Sequence, residues 1–345
     1  MAGESDTARS AVKPSKLWIT WQFYQGVNPR KLSIPDADLR GKWILITGGN
    51  SGIGRESALQ FAKWGANIVL GCRPDPPPRE PRPDAVVEEL KTTARASGHE
   101  HTTFEWWECD MSKFSSVEAF GKRWLETDRP LDILANNAGT GGGNTGKPVL
   151  TSDGFEMLHQ VNFISHVLLT LILLPTLARA PEPRIICTTS NMQYQGVFDL
   201  TNANSGKMSY PNNKLYFQTW LTELQARLLK NDKYDHIVVH GVHPGFVITN
   251  IWESAGKDLF TKVATALMHY VGVDARQGSL AITNAATNPK WGLKQSGGGG
   301  TFANRIWQAK PMPQTKDPEC RRKVWDFVGK ELKLKERGLL EGLEI

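Results

Sequence analysis

A tyrosine and a lysine four residues apart are the side chains of this sequence best suited to proton transfer. Tyr210 and Lys214 enclose the segment YPNNK, which is typical of the start of a helix. In a helix, residues i and i+4 lie one above the other on the same face. An ammonium group close to a phenol favours the phenolate and lowers the tyrosine pKa from its ordinary value of about 10. The pair therefore predicts a general acid or base, and an ordinary exposed helix face is the alternative.

A glycine-rich turn provides a second chemical feature, because it follows a predicted strand and precedes a helical pattern. Glycine permits a tight turn, a close approach of the backbone to a pyrophosphate, and close packing of the helix on the sheet. The helix N-terminus then offers N–H groups to the anion. The turn predicts a dinucleotide-binding loop, with a purely structural turn as the alternative. Its candidate cofactor-binding residues are Gly48, Asn50, Ser51, Gly52, Ile53 and Gly54.

The second predicted strand ends in a basic residue, Arg73. An acidic residue at this place would accept the two ribose hydroxyl groups of NAD, whereas a cation suits a 2′-phosphate. Arg73 therefore favours NADP(H), and Arg55 is expected to add to the same positive field. The alternative for Arg73 is a solvated loop charge.

The elements that must position these residues alternate between short apolar runs and helical patterns, which is typical of βαβ units. Helices are predicted at 53–64, 85–96, 115–125, 154–178 and 210–229, with a basic amphipathic helix at 317–334. Strands are predicted at 43–47, 67–71, 102–107, 132–135, 184–188 and 236–241, and a last short strand after residues 296–300. The fold class is thus α/β, a single doubly wound Rossmann-like domain with a parallel sheet of about seven strands flanked by helices.

Three regions are expected along the chain. Residues 1–40 form an N-terminal tail with a short apolar segment, residues 41–335 form the Rossmann-like domain, and residues 336–345 form a C-terminal tail. Residues 74–83 are mostly proline and are expected to form an exposed extended loop, because proline has no N–H for a strand ladder.

Composition narrows the classes of partner. The 345 residues carry a net charge of +6, but the basic residues are spread along the chain, so no nucleic-acid partner is expected. The four cysteines form no C-x-x-C pair, which predicts free thiols in a reducing compartment and no metal site.

Targeting and membrane segments are not expected either. The N-terminus is polar and unlike a secretory signal. The longest apolar run, 167–174, is shorter than the roughly 18 residues of a membrane span and is followed by Pro175. These observations predict no membrane span and a soluble, cytoplasmic protein.

Taken together and in this order, the motifs resemble the short-chain dehydrogenase/reductase family, from about residue 39 to about residue 334. The chain is most similar to the retinol-dehydrogenase-like and WW-domain-oxidoreductase-like branch and to reductases of fungal secondary metabolism. Residues 150–156, 243–245 and 323–326 carry this closer resemblance, and the pair Cys72-Arg73 agrees with it.

The resemblance adds site residues that the patterns alone do not identify. Asp110 matches the acidic residue that contacts the adenine, and Asn137 belongs to the NNAG motif after the fourth strand. Asn162 matches the catalytic asparagine, and Ser190 the catalytic serine. The loop beside the nicotinamide supplies the remaining candidates, which are Pro244, Gly245, Val247 and Thr249.

The implied function is that of an NADP(H)-dependent carbonyl reductase or alcohol dehydrogenase. Tyr210 would be the general acid or base, Lys214 would lower its pKa and hold the nicotinamide ribose, and Ser190 would donate a hydrogen bond to the carbonyl oxygen. Asn162 would position a water in a proton relay, and Thr249 would hold the carboxamide.

The substrate class and the oligomeric state are less directly indicated by the sequence. Apolar residues in 191–209 and 250–275 predict a lipophilic ketone, aldehyde or secondary alcohol, although helix packing would explain them as well. The alternative is a non-redox use of the same fold, as a regulator, isomerase or cyclase. The resemblance also implies a homodimer or a homotetramer.

Overall fold

The chain forms a twisted sheet of eight strands between two layers of helices. The computed structural model describes residues 14–26, 31–141, 149–202, 210–247 and 272–343. The strands are β1 (Trp43–Thr47), β2 (Asn67–Cys72), β3 (Phe104–Glu108), β4 (Ile133–Asn136), β5 (Arg184–Thr188), β6 (Val238–His243), β7 (Thr301–Asn304) and β8 (Trp307–Ala309). Their order across the sheet is β3-β2-β1-β4-β5-β6-β7-β8.

The helices of the described residues connect or flank these strands. They are α1 (Lys16–Gly26), α2 (Gly52–Lys63), α3 (Pro83–Ala96), α4 (Phe114–Glu126), α5 (Met157–Leu177), α6 (Tyr210–Leu228), α7 (Ala275–Thr287) and α8 (Pro318–Glu331). Helices α4, α5, α6 and α8 pack in one apolar layer, and α2, α3 and α7 pack in the other.

Alternation along each strand assigns its side chains to the two layers. In β1, Leu45 packs with the α4–α6 layer, whereas Ile44 and Ile46 pack with the α2–α7 layer. All three are fully buried, as expected for a parallel strand that is covered on both faces.

The strand order reverses between β1 and β4, which are hydrogen-bonded neighbours. After β3 the chain crosses back to β4 on the other side of β1. In open α/β sheets the carboxyl ends of the strands at such a reversal form the ligand-binding crevice. The glycine-rich turn and Asn137 therefore lie at the edge of the sheet where a ligand is expected.

The predicted fold class is confirmed, with two differences in detail. The sheet has eight strands rather than about seven, because β8 returns antiparallel against β7. Helix α7 was not predicted, because its segment ARQGSLAITNAAT is rich in small and polar residues. The helix is nevertheless largely buried, with Ala281, Ile282 and Ala285 in the core.

The two ends of the domain are packed rather than loose. Trp18 of α1 meets Tyr194 edge to face, with ring centroids 4.9 Å apart. Near the C-terminus Leu343 is buried, and its carbonyl oxygen accepts a hydrogen bond of 2.7 Å from Arg227. The boundaries at residues 40 and 335 stay a prediction, but both flanking segments contribute to the core.

The prediction that no segment could span a membrane was wrong. Helix α5 runs for 21 residues from Met157 to Leu177 and is long and apolar enough to cross a bilayer, judged by length and composition. The sequence pattern missed it because only the apolar run 167–174, ended by Pro175, was compared with the length of a span, whereas the helix predicted around it continues through Pro175. In this fold 83% of the most apolar window of α5 is buried.

Candidate active site

The glycine-rich turn has no room for side chains where the chain folds back on itself. Gly48 and Gly52 have φ angles of +65° and +52°, which L-residues with side chains rarely adopt. A Cβ atom at Gly54 would lie 2.2 Å from the carbonyl oxygen of Gly48 and 2.6 Å from Nδ2 of Asn137. The turn therefore presents bare backbone at the carboxyl edge of the sheet, as a pyrophosphate would require.

Helix α2 begins directly after this turn, with Ser51 as its N-cap residue. The Ser51 side chain makes no capping hydrogen bond in the described structure. The N–H groups of the first helical turn of α2 are therefore not used by the cap, and an anion is a suitable partner for them.

Asn137 ties the ends of β1 and β4 together beside the glycine-rich turn. Its Nδ2 atom donates to the carbonyl oxygen of Thr47 at 3.1 Å, and its backbone N–H donates to Thr47 Oγ1 at 2.9 Å. The backbone N–H of Ala138 donates to the same hydroxyl at 3.0 Å. Thr47 and Asn137 thus hold the two strand ends at the reversal point.

Asn162 lies in a π-helical turn, Gln160–Ile164, within α5. Its Nδ2 atom donates to the carbonyl oxygen of Thr140 at 2.7 Å, and its Oδ1 atom accepts from the backbone N–H of Thr140 at 2.6 Å. The structure thus places Asn162 against the loop after β4. Its predicted water-positioning role stays a prediction.

The end of β5 fixes the groups suited to proton transfer. The Lys214 ammonium group, on the first turn of α6, donates to the carbonyl oxygen of Thr188 at 2.7 Å. Two residues further on, Ser190 forms a side-chain hydrogen bond with Tyr210 and accepts the backbone N–H of Met192 at 3.1 Å. The structure therefore brings Ser190, Tyr210 and Lys214 together at the carboxyl end of the sheet.

The electrostatics of this group differ from the sequence expectation. Burial raises the pKa of Tyr210 to about 12, and the hydrogen bond with Ser190 opposes this only in part. Burial lowers the pKa of Lys214 to about 8, with the charge of Cys187 acting in the opposite sense. The ammonium nitrogen lies 5.5 Å from the centre of the Tyr210 ring and is directed to Thr188. In this structure burial therefore sets the direction of the Tyr210 shift, and the role of Lys214 in lowering the tyrosine pKa stays a prediction.

Arg73 and Arg55 have different surroundings. The side chain of Arg73 is 50% exposed, and its guanidinium group lies 3.5 Å from the carboxylate of Glu80. Arg55 forms a two-bonded ion pair with Glu89 on α3 and contacts Glu56 at 2.8 Å. The expected contribution of Arg55 to a 2′-phosphate field is therefore offset by two carboxylates, and Arg73 remains the candidate cation.

Asp110 follows β3, and its side chain acts as a hydrogen-bond acceptor. Its carboxylate accepts the backbone N–H of Ser112 at 2.9 Å and the Ser112 hydroxyl at 2.7 Å. Burial alone would raise the pKa of Asp110, but the bonds from Ser112 and the charge of Lys113 outweigh it and lower the pKa. Asp110 is therefore an ionised acceptor at neutral pH.

The loop after β6 is described as far as Val247, and Thr249 lies outside the described residues. Gly245 follows Pro244 and has a φ angle of +95°, which favours glycine at this turn. Val247 is buried against α7, because a Cβ atom at Gly278 would lie 2.6 Å from its Cγ2 atom. These contacts fix the start of the loop.

Two buried histidines beside the site were not predicted as site residues. His166 Nε2 lies 2.8 Å from the carbonyl oxygen of Ala138, and burial lowers its pKa to about 3. Burial also lowers the pKa of His243, the residue before Pro244, to about 3. Neither ring nitrogen of His243 has a hydrogen-bond partner within the described part of the chain. A histidine within an apolar helix or strand pattern gives no signal that separates such a position from a core histidine.

The residues expected to line an apolar substrate cleft differ in their surroundings. Tyr194 and Phe198 are buried in the core, and the Tyr194 hydroxyl donates to the carbonyl oxygen of Lys310 at 2.8 Å. Val197 is 48% exposed. The candidate lining residues at 250–271 lie outside the described residues. Packing therefore accounts for Tyr194 and Phe198.

Comparison with known proteins agrees with this arrangement. A family model described as short chain dehydrogenase matches residues 42–259. Retinol dehydrogenase 14 from Homo sapiens is 29% identical over 343 residues, covering 95% of this chain and 97% of the relative. The match thus extends beyond the sheet to both ends of the domain.

Two solved structures show the same fold. L-sorbose reductase from Gluconobacter frateurii, in complex with NADPH and L-sorbose, has a TM-score of 0.58 and 21% identity, covering 78% of this chain and 96% of that one. A 7α-hydroxysteroid dehydrogenase in complex with NADH has a TM-score of 0.57 and 20% identity, covering 80% and 98%.

Proposed function

Because the chain belongs to the short-chain dehydrogenase/reductase family, we propose that it is an NADP(H)-dependent oxidoreductase acting on a lipophilic ketone, aldehyde or secondary alcohol. The oxidoreductase class and its nicotinamide cofactor follow from the family, in which the chain lies in the retinol-dehydrogenase-like branch. The observation that carries the proposal is the meeting of Ser190, Tyr210 and Lys214 at the end of β5.

The residues present fit a nicotinamide dinucleotide, which when bound supplies or accepts the hydride. At Gly54 the turn has no room for a side chain, which leaves backbone for a pyrophosphate. Around it, the residues proposed to hold the cofactor are Asn50, Ser51, Gly52, Ile53, Arg73, Asp110, Asn137, Tyr210, Lys214, Pro244, Gly245, Val247 and Thr249.

The preference for NADP(H) depends on Arg73. It directly follows β2, no carboxylate comes next in the sequence, and its side chain is 50% exposed. A guanidinium group there would pair with a 2′-phosphate. NAD(H) lacks that phosphate and would gain nothing from Arg73.

Proton transfer is assigned to Tyr210. With its pKa raised to about 12, the phenol keeps its proton at neutral pH and can donate it to a carbonyl oxygen during reduction. Ser190, which already hydrogen-bonds Tyr210, would donate to the same oxygen as negative charge develops there. In the oxidation direction Tyr210 would accept the proton.

Lys214 and Asn162 are proposed to support this transfer. The Lys214 ammonium group is held by Thr188, and its two other hydrogens are left for a ribose hydroxyl and a relay water. Asn162 holds the loop after β4 through Thr140, next to the path such a relay would take.

The proposal of a lipophilic substrate rests on a relative, retinol dehydrogenase 14, rather than on residues of the candidate active site. Retinol dehydrogenase 14 is named for retinol, a long apolar alcohol. The predicted cytoplasmic location and the link to secondary metabolism stay predictions, and the membrane-length helix α5 leaves the location open to test by cell fractionation.

The test is consumption of NADPH with retinal and a panel of apolar ketones and aldehydes, with NADH alongside. We expect turnover with NADPH to disappear in Tyr210→Phe while the Kd for NADPH stays within about twofold, since a lost hydroxyl contact costs only about 1 kcal/mol in binding. Tyr234→Phe removes a hydroxyl from a buried tyrosine outside the site and should keep full turnover. Turnover in Tyr210→Phe would show that another group moves the proton.

A further inference from the structure

The proline-rich segment 74–83 brings a carboxylate onto the cofactor side of the sheet. Asn50 of the glycine-rich turn donates through Nδ2 to the carbonyl oxygen of Pro81 at 3.1 Å and to Oε2 of Glu80 at 3.4 Å. The same Oε2 atom lies 3.5 Å from the Arg73 guanidinium group. The segment is therefore folded back on the turn, and Glu80 joins Asn50 to Arg73.

Glu80 is held in this place by its own loop. Its backbone N–H donates to the carbonyl oxygen of Pro77 at 2.8 Å, which closes a turn within the segment. Prolines on both sides fix the backbone φ angles, and helix α3 begins at Pro83. The Glu80 side chain is only 16% exposed, although the segment around it is largely exposed.

Glu80 contacts two groups that NADP(H) would use. Arg73 is the candidate ligand of the 2′-phosphate, and Asn50 belongs to the turn that would hold the pyrophosphate. A phosphate monoester carries about −1.5 to −2 charges at neutral pH and is repelled by a carboxylate that pairs with the same cation. Arg55 offers no substitute, because Glu89 and Glu56 engage it.

We propose that Glu80 is a specificity-determining residue that competes with the 2′-phosphate of NADP(H) for Arg73. This inference rests on the proposed NADP(H) preference and deepens it. The preference is then set by a balance between Arg73, which attracts the phosphate, and Glu80, which must leave Arg73 before the phosphate can bind. NAD(H) has no 2′-phosphate, so its binding does not require Glu80 to move.

The hydrogen-bonding chemistry of the adenosine ribose explains why the chain carries both Glu80 and Arg73. A carboxylate near the adenosine ribose can accept hydrogen bonds from its two hydroxyl groups, as the acidic residue after the second strand does in NAD-binding folds. Here that carboxylate comes from an inserted loop rather than from the strand end. Glu80 therefore reduces discrimination against NAD(H) without removing the cation.

The test is the charge-neutral variant Glu80→Gln, with binding measured by calorimetry. We expect the Kd for NADPH and for adenosine 2′,5′-bisphosphate to fall by about fivefold, since a partly exposed ion pair is worth up to about 1 kcal/mol. The Kd for NADH and for ADP should rise by up to about threefold, because the amide of glutamine is a weaker acceptor than a carboxylate for the two ribose hydroxyl groups. Glu126→Gln, at the end of α4, is the control for net charge, because Glu126 is 65% exposed and pairs with Lys122.

Arg73→Ala separates the two proposals. If it leaves the ratio of NADPH to NADH affinity unchanged, the NADP(H) preference is wrong, and the role of Glu80 falls with it. If Arg73→Ala weakens NADPH binding but Glu80→Gln leaves it unchanged, Glu80 is no competitor while the preference stands.

The double variant tests whether Glu80 acts through Arg73. In an Arg73→Ala background, Glu80→Gln should no longer tighten NADPH binding, because the contested cation is gone. A persistent fivefold gain would mean general repulsion and would overturn the competition. Equal gains for NADPH and NADH would do the same, since they would point to the shared pyrophosphate.

Discussion

Replacement of Gly54 by alanine should displace the glycine-rich turn and weaken cofactor binding, while the rest of the fold stays intact. The added Cβ atom would lie 2.2 Å from the Gly48 carbonyl oxygen, 3.0 Å from the Gly48 carbonyl carbon and 2.6 Å from Asn137 Nδ2. Ordinary contacts between such atoms are at about 3.5 Å, so the Gly48 peptide and the Asn137 side chain must retreat by about 1 Å. The turn and the end of β4 would both be displaced.

The magnitude follows from these contacts. Overpacking of this size costs about 1–3 kcal/mol of folding stability, which lowers the Tm by about 1.5–5 °C in a domain of this size. A displaced turn also loses charge-assisted hydrogen bonds to a pyrophosphate, worth about 2 kcal/mol, so the Kd for NADPH should rise by about 30-fold. Both NADPH and NADH should be affected equally, because both have the pyrophosphate.

Calorimetric titration and thermal unfolding measure the two effects. Gly329→Ala is the matched control, because a Cβ atom there meets nothing within 4 Å and Gly329 lies inside α8. That variant should gain about 0.5–1 kcal/mol of stability with unchanged cofactor affinity. Wild-type affinity and Tm in Gly54→Ala would refute the close approach of the turn to β4 and its assignment as the pyrophosphate loop.

Two further predictions concern buried titrating groups. Burial lowers the pKa of Lys214 from 10.5 to about 8, so the unfolded chain binds more protons between these pH values, and the free energy of unfolding should rise with pH across this window by up to about 3 kcal/mol. Denaturant unfolding of Lys214→Met should lack that rise; its persistence would place the titrating group elsewhere. Burial lowers the pKa of His243 from 6.5 to about 3, so stability should fall as pH falls through that range. In His243→Leu the decrease should be shallower than in the wild type and in the control His101→Leu, an exposed histidine; equal slopes in all three would show that His243 titrates normally.

Features that depend on neighbours in the chain could be predicted from the sequence. Short apolar runs located six of the strands to within a few residues, because a parallel strand that is covered on both faces is apolar at successive positions. The turn at Gly48–Gly54 was equally accessible, since a strand, glycines and a helix follow one another directly. Tyr210 and Lys214 were paired by the helix repeat alone.

Contacts between distant segments were not accessible in this way. Lys214 is held by Thr188, 26 residues away in the chain, and burial by such distant segments gives the ammonium group its lowered pKa. The sequence suggested that Lys214 acts on Tyr210, but desolvation depends on what covers both groups. Similarly, the small and polar residues of α7 gave little signal, although the fold buries most of that helix.

The cofactor side of the sheet shows the same difference between features set by neighbouring residues and contacts set by the tertiary structure. The sequence by itself determined that a basic residue, Arg73, ends β2 and that a proline-rich loop follows. Only the tertiary structure decided that this loop returns to the glycine-rich turn, so that Glu80 contacts both Asn50 and Arg73. Proline composition fixes the stiffness of a segment but not its direction, because the direction depends on hydrogen bonds to residues 30 positions away.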